Sequence, residues 1–224
     1  MPQATTKPLV VYGHPFSSYT QKVLVALHEN ATPYELRTVW PPSADTDEWL
    51  RLWPLRKFPV VVDGDRDLAE TSIIIEYLQQ ARPGPVRLIP ADPQAALEVR
   101  FLDRFFDLHV MNAAQHAVDG ALTGDDARRR EGMAQSVEKL ERAYGWLEGR
   151  LRGRTWAAGD DFSMADCAAA PFLFYADWTH RIGQDYPLLR AYRARLLARP
   201  SFARAVDAAR PFRPLFPLGA PDRD

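Results

Sequence analysis

Hydrophobic positions in the first third of the chain change period several times. Leu9-Val10-Val11-Tyr12 is a short unbroken apolar run, the pattern of a strand covered on both faces. Gly13-His14-Pro15-Phe16 interrupts it. From Ser17 or Ser18 to Asn30 the period is helical, with Val23, Leu24 and Leu27 on one face. Pro33 ends that segment, and Tyr34 to Val39 alternates as a second strand. Beyond Pro41-Pro42, the residues Trp49, Leu50, Leu52 and Trp53 mark a short helix. Val60-Val61-Val62, the turn Asp63-Gly64 and Arg66-Asp67-Leu68 read as a hairpin. A further helix opens near Glu70-Thr71-Ser72 and carries Ile73, Ile74, Tyr77 and Leu78 to about Ala81. The predicted order is β-α-β-α-β-β-α.

Arg82-Pro83-Gly84-Pro85 breaks the pattern, and no strand signal follows. Leu97, Phe101, Phe105 and Leu108 recur at helical spacing, as do Met133, Val137, Leu140, Tyr144, Leu147 and Leu151. A shift from mixed α/β to all-helical patterning across a Pro/Gly hinge is a domain boundary. The expected organisation is an α/β domain at 1–82, a linker at 83–93 and an all-α domain at 94–224. Gly159-Asp-Asp-Phe-Ser-Met-Ala-Asp166 holds a capping box, with Ser163 and Asp166 serving each other's backbone amides at the start of an apolar helix. Pro171 falls inside that helix.

Composition narrows the function. Lys and Arg total 28 and Asp and Glu total 29, a balance unlike the basic excess of a nucleic-acid binder. The single cysteine, Cys167, rules out an internal disulfide and a thiol-rich zinc site, so no metal is expected. Cys167 sits in an apolar helix and reads as an inert buried thiol. The apolar stretch from Ala165 to Ala176 is too short to span a bilayer, and no signal-peptide pattern opens the chain, so a cytoplasmic location without membrane partners is expected.

Three local features carry candidate chemistry. Ser17 and Ser18 stand where a helix begins, a place that favours an anion such as a thiolate, although a serine there is also an ordinary N-cap. Phe58-Pro59-Val60 puts a proline directly before a buried strand. Glu70 and Thr71 open a helix with a carboxylate, a hydroxyl and free amides, a set able to grip an α-amino-acid head.

In order and spacing these features resemble the cytosolic glutathione transferase family, across essentially the whole chain. The segment Tyr12 to Leu27 resembles its active-site segment and Lys57-Phe-Pro-Val60 its cis-proline element. Leu68-Ala-Glu-Thr-Ser to Leu78 resembles its γ-glutamyl-binding helix, with Thr71 where serine is usual, and Gly159 to Asp166 its capping box. The resemblance implies a thioredoxin-like N-terminal domain, an all-α C-terminal domain, and glutathione as co-substrate. It also implies a small hydrophobic electrophile as second substrate, and a homodimer.

By the same resemblance Ser17 is the catalytic hydroxyl, with Ser18 the alternative; Tyr12 and Tyr19 are further hydroxyls nearby, and His14 a loop residue. Serine in place of cysteine argues against thiol-disulfide exchange. Val60 is expected to bind the cysteinyl backbone beside Phe58 and Pro59, Glu70 and Thr71 the γ-glutamyl end, and Lys57 the glycyl carboxylate. Trp40 is expected to pack on the ligand. Phe105, His109 and Asn112, with His116, are expected to wall the electrophile pocket, and Tyr175 and Trp178 are alternates. A second reading is a transferase-like protein that binds glutathione or another ligand without turnover, in stress response or assembly.

Overall fold

The computed structural model describes residues 8–224; the first seven residues of the segment read as 1–82 lie outside them. Strands β1 (Leu9–Gly13), β2 (Tyr34–Thr38), β3 (Val60–Asp63) and β4 (Arg66–Leu68) form a mixed sheet in the order β2-β1-β3-β4. β1 is parallel to β2 and antiparallel to β3, and β3 is antiparallel to β4. The helices among them are α1 (Ser18–Glu29), α2 (Ala44–Leu52) and α3 (Thr71–Ala81). This is the expected β-α-β-α-β-β-α thioredoxin-like arrangement.

Alternation along the strands divides the apolar residues between two faces of the sheet. Leu9, Val11 and Val61 pack with Val23, Leu24 and Leu27 of α1 and Ile74 and Leu78 of α3. On the opposite face Tyr12 and Val60 pack with Val39 and Trp49 of α2. Burying each such side chain stabilises the fold by roughly 1.5–3 kcal/mol.

The remainder is helical: α4 (Pro93–Phe105), a π-helical segment (Phe106–Met111), α5 (Asn112–Leu122), α6 (Asp126–Arg150), α7 (Met164–Thr179), α8 (Pro187–Leu197), α9 (Pro200–Ala209) and a 3-10 segment (Arg210–Leu215). None of the helices among the described residues is long and apolar enough to cross a membrane. α5 and α6 approach closely because Gly120 and Gly132 present no side chain; a Cβ on Gly120 would lie 2.6 Å from the Arg128 carbonyl oxygen.

α7 is buried from Met164 to Trp178, which explains its unbroken apolar sequence. Its start is the capping box read from the sequence, with the Ser163 amide donating to Asp166 Oδ2 at 2.9 Å. Asp166 also accepts from the Ala157 amide at 2.8 Å and the Tyr192 hydroxyl at 2.6 Å, so the box ties a loop and α8 to the helix. Cys167 is fully buried, and burial pushes its thiol well above the usual range.

The stripe Leu97, Phe101, Phe105 and Leu108 belongs to a helix as its spacing predicts, but it is not the inward face. The core takes Ala96, Val99, Leu102, Phe106 and Val110, while Leu97, Phe101 and Leu108 are exposed.

Candidate active site

The loop after β1 is set by Gly13. A Cβ there would lie 2.7 Å from Thr20 Oγ1, so only glycine lets the strand end this close to α1. The chain then turns, with the Ser17 amide donating to the His14 carbonyl at 2.9 Å. Ser17 is extended, at φ −80° and ψ 125°, and its Oγ accepts from the Thr20 amide at 3.2 Å. Ser17 is thus an N-cap, as an ordinary serine at a helix start would be. The cap uses the oxygen as acceptor and leaves the hydroxyl proton to donate elsewhere. Ser18 is the first helical residue and is nearly buried.

A cleft opens beside this serine as two recesses of about 320 and 480 Å³, with Tyr19, Lys57 and Phe58 lining both. The smaller recess is bounded by Pro59, Glu70, Thr71, Arg104, Asp107 and Asn112. The larger takes Phe16, Ser17, Ser18, Met111, Tyr175 and Phe216 among its walls. One recess is ringed by polar and charged groups and the other mainly by apolar ones.

Residues at the smaller recess carry unpaired backbone groups. The Phe58–Pro59 bond is cis, as is Trp40–Pro41. Neither the amide nor the carbonyl of Phe58 has a hydrogen-bond partner among the described residues. At the head of α3, Glu70 lies at φ 66°, and the first amides of the helix are uncapped by any side chain. Such a helix start attracts a carboxylate.

Other titratable groups nearby are committed elsewhere. The Tyr19 hydroxyl donates to Asp107 Oδ1 at 2.7 Å, and burial pushes its phenol far above the ordinary range. Arg104 holds the same carboxylate at 2.6 Å. Tyr12 is in the core; its hydroxyl accepts from Arg37 at 2.9 Å, and burial pushes its pKa up to about 12. His14 Nδ1 accepts from the Phe16 amide at 3.2 Å, and burial lowers the ring's pKa. Among the described residues no group of three or more His, Cys, Asp and Glu side chains could hold a metal ion.

The structure brings Ser17, Lys57, Phe58, Pro59, Glu70, Thr71 and Asn112 to the cleft. It does not bring Val60, which is 1% exposed and packs behind the sheet with Tyr12 and Trp49. Nor does it bring Phe105 and His109, which line a separate groove where Phe105 stacks on Trp146 at 4.2 Å. The cause is the π-helical segment between Phe105 and Asn112. A π turn holds an extra residue, so positions seven apart no longer share the face that an α-helix would give them. His116 pairs with Lys139 at 2.6 Å, and Trp40 borders neither recess.

Two contributions escaped sequence reasoning. Arg56 borders the larger recess from a left-handed conformation at φ 58°. Leu215, Phe216 and Pro217 close the recess from the C-terminal end, where Phe216 packs edge-on against Trp178 at 5.4 Å. The available signal was Pro214-Leu-Phe-Pro217, an apolar pair framed by prolines with no helical period.

Comparison with known proteins agrees with this architecture. Residues 11–86 match the family model described as the glutathione S-transferase N-terminal domain, and residues 125–195 match that of the C-terminal domain. A probable maleylacetoacetate isomerase of Vibrio cholerae is 29% identical over 91% of this chain and 97% of its own length. Glutathione S-transferase 1 of Triticum aestivum is 27% identical over 88% and 93%. Among solved structures, a glutathione transferase homologue of Drosophila mojavensis with bound glutathione superimposes with a TM-score of 0.79 at 22% identity, covering 92% of this chain and 94% of that one.

Proposed function

The chain belongs to the glutathione S-transferase family, and from that premise we propose that it is an enzyme joining the glutathione thiolate to small hydrophobic electrophiles. The observation that carries this reading is the Ser17 hydroxyl at the wall of the larger recess, whose oxygen caps α1 as an acceptor and whose proton is left free to donate.

The smaller recess fits the tripeptide. The free amide and carbonyl of Phe58 would pair with the cysteinyl backbone as an added strand does. Glu70 would take the γ-glutamyl ammonium, and the Thr71 end of α3 its carboxylate. Lys57 stands nearby for the glycyl carboxylate. The sulfur then lies toward Ser17 and the apolar recess.

A free thiol has a pKa of about 8.5, and each unit of lowering takes about 1.4 kcal/mol. A hydrogen bond from Ser17 to the thiolate supplies roughly 1.5–3 kcal/mol. The start of α1 adds about 0.3–1 kcal/mol. Those contributions make the thiolate abundant near neutral pH without a general base; the thiol proton passes to solvent. With an activated aryl halide, sulfur donates its pair to the ring carbon, a C–S bond forms, and halide departs with the electrons of the broken bond. Ser17 donates a hydrogen bond throughout and never becomes covalently linked.

The test is conjugation of an activated aryl halide by the purified protein, compared in the wild type, Ser17→Ala and Ser18→Ala. Ser17→Ala is expected to lower kcat/KM by about 10- to 100-fold near neutral pH. Ser18→Ala is expected to stay within a few-fold of wild type. The reverse order would move the role to Ser18, and equal activity in all three would remove it from both.

A further inference from the structure

Four successive carbonyls present Ser17, and each has a fixed partner. The His14 carbonyl accepts from the Ser17 amide and the Ser17 carbonyl from the Gln21 amide, both at 2.9 Å. Those two bonds are local to the turn and helix. The Pro15 carbonyl accepts from Gln21 Nε2 at 2.9 Å, and the Phe16 carbonyl from the Tyr175 hydroxyl at 2.9 Å. Gln21 Nε2 also donates to the Tyr175 oxygen at 3.1 Å. The two side chains therefore form one directional unit, with an amide proton on the phenol oxygen and the phenol proton on Phe16.

The placement gives this unit leverage. The Phe16 carbonyl belongs to the same rigid peptide plane as the Ser17 amide, so fixing one fixes the approach to the cap. Gln21 is fully buried, so water cannot readily take over its bonds to Pro15 and Tyr175, while the Tyr175–Phe16 bond is partly buried at the wall of the larger recess. Tyr175 comes from α7, in the helical half of the molecule, and its ring meets the Phe16 ring edge-on at 5.3 Å. A lost partner would leave the buried Pro15 carbonyl or the partly buried Phe16 carbonyl unsatisfied, and the loop would turn to relieve it.

We propose that Gln21 and Tyr175 are positioning residues that lock the Phe16–Ser17 peptide and so aim the Ser17 hydroxyl into the cleft. The inference rests on the reading of Ser17 given above. It makes the helical half a determinant of thiolate formation, in addition to a wall of the electrophile recess.

The test uses Tyr175→Phe, which keeps the ring and its packing, and Gln21→Met, which keeps much of the volume. One readout is hydrogen exchange of peptides covering residues 13–18. The other is the pH at which bound glutathione ionises, followed by thiolate absorbance, in the wild-type and Ser17→Ala backgrounds. Each variant is expected to speed exchange in the loop several-fold and raise the ionisation midpoint by about half a pH unit or more. Neither is expected to shift the midpoint further once Ser17 is alanine.

Unchanged exchange in both variants overturns the lock. Faster exchange with an equal midpoint shift in both backgrounds overturns the action through Ser17. Faster exchange with a Ser17→Ala midpoint equal to wild type retains the lock as a loop-ordering device and instead refutes the role given to Ser17.

Discussion

Lys22 Nζ lies 2.6 Å from Asp103 Oδ1, and both side chains are completely shielded from solvent. The pair joins α1 of the sheet-containing half to α4 of the helical half. Ser72, one residue into α3, accepts from Lys22 at 3.0 Å and donates to Asp103 Oδ2 at 2.5 Å. The same helix that offers Glu70 and Thr71 to the cleft is thereby fastened from beneath.

Removing one member of this pair strands a buried charge. Asp103→Ala is expected to cost about 3–5 kcal/mol of unfolding free energy, because Lys22 has no water to turn to. Lys22→Met combined with Asp103→Leu is expected to recover most of that loss. Urea denaturation checks both; a double variant no more stable than Asp103→Ala would show that the pair supplies more than charge compensation.

Glu70 occupies φ 66° and ψ 111°, a region that residues with a Cβ rarely adopt. Strain of this kind costs on the order of 1–3 kcal/mol, partly offset in a glycine variant by the greater freedom of the unfolded chain. Glu70→Gly is therefore expected to raise stability by about 1 kcal/mol while weakening retention on immobilised glutathione. Denaturant midpoints and binding calorimetry measure the two effects. A variant that loses stability would mean that the Glu70 backbone is not strained.

The fold was legible because its periods were clean. Val11 and Val61 stand in short apolar runs whose strands are covered on both faces, and Ser163 with Asp166 announces α7 by local chemistry alone. The polar recess was legible for the same reason, since Phe58, Glu70 and Thr71 lie at element boundaries that sequence marks. Its neighbour was not. The π-helical segment moved Phe105 and His109 away from Asn112, and no residue type announces a π turn. Val60 opens β3, and the backbone left without a partner lies two residues earlier, at Phe58.

Two histidines tie stability to pH. His28 is held between the Ser201 carbonyl and the Tyr34 hydroxyl, both at 2.8 Å, and burial lowers its pKa as it lowers that of His14. Each ring binds its proton more readily unfolded, where the pKa is about 6.5, than folded. Their contribution is present above that pH and is lost as pH falls from about 6.5 toward the folded values. Unfolding free energy is expected to decline between pH 7 and 5, with each histidine adding a slope of at most about 1.4 kcal/mol per pH unit. His28→Gln is expected to flatten the decline, and a slope unchanged from wild type would assign it to other groups.

The outward stripe of α4 bears on assembly. Leu97 is 61% exposed, Phe101 48% and Leu108 44%, beside Trp146 at 39%; Phe101 meets Trp146 edge-on at 5.8 Å. Ile73, 56% exposed, presents from α3, which the Arg100–Glu76 pair fastens to α4. Exposed aromatic and aliphatic groups drawn from α3, α4, α6 and the π-helical segment are unusual for a surface that only water covers. A second copy of the chain would cover them, with α3 and α4 of both protomers at the contact. Sedimentation at micromolar concentration is expected to show a dimer for the wild type and a monomer for Phe101→Glu, with matching far-ultraviolet circular dichroism for the two. The charge is placed on a side chain already half exposed, so the isolated fold tolerates it, whereas an interface core would bury it unpaired. A wild-type monomer would leave this face to some other occupant, and a dimer that persists in Phe101→Glu would put the contact elsewhere on the molecule.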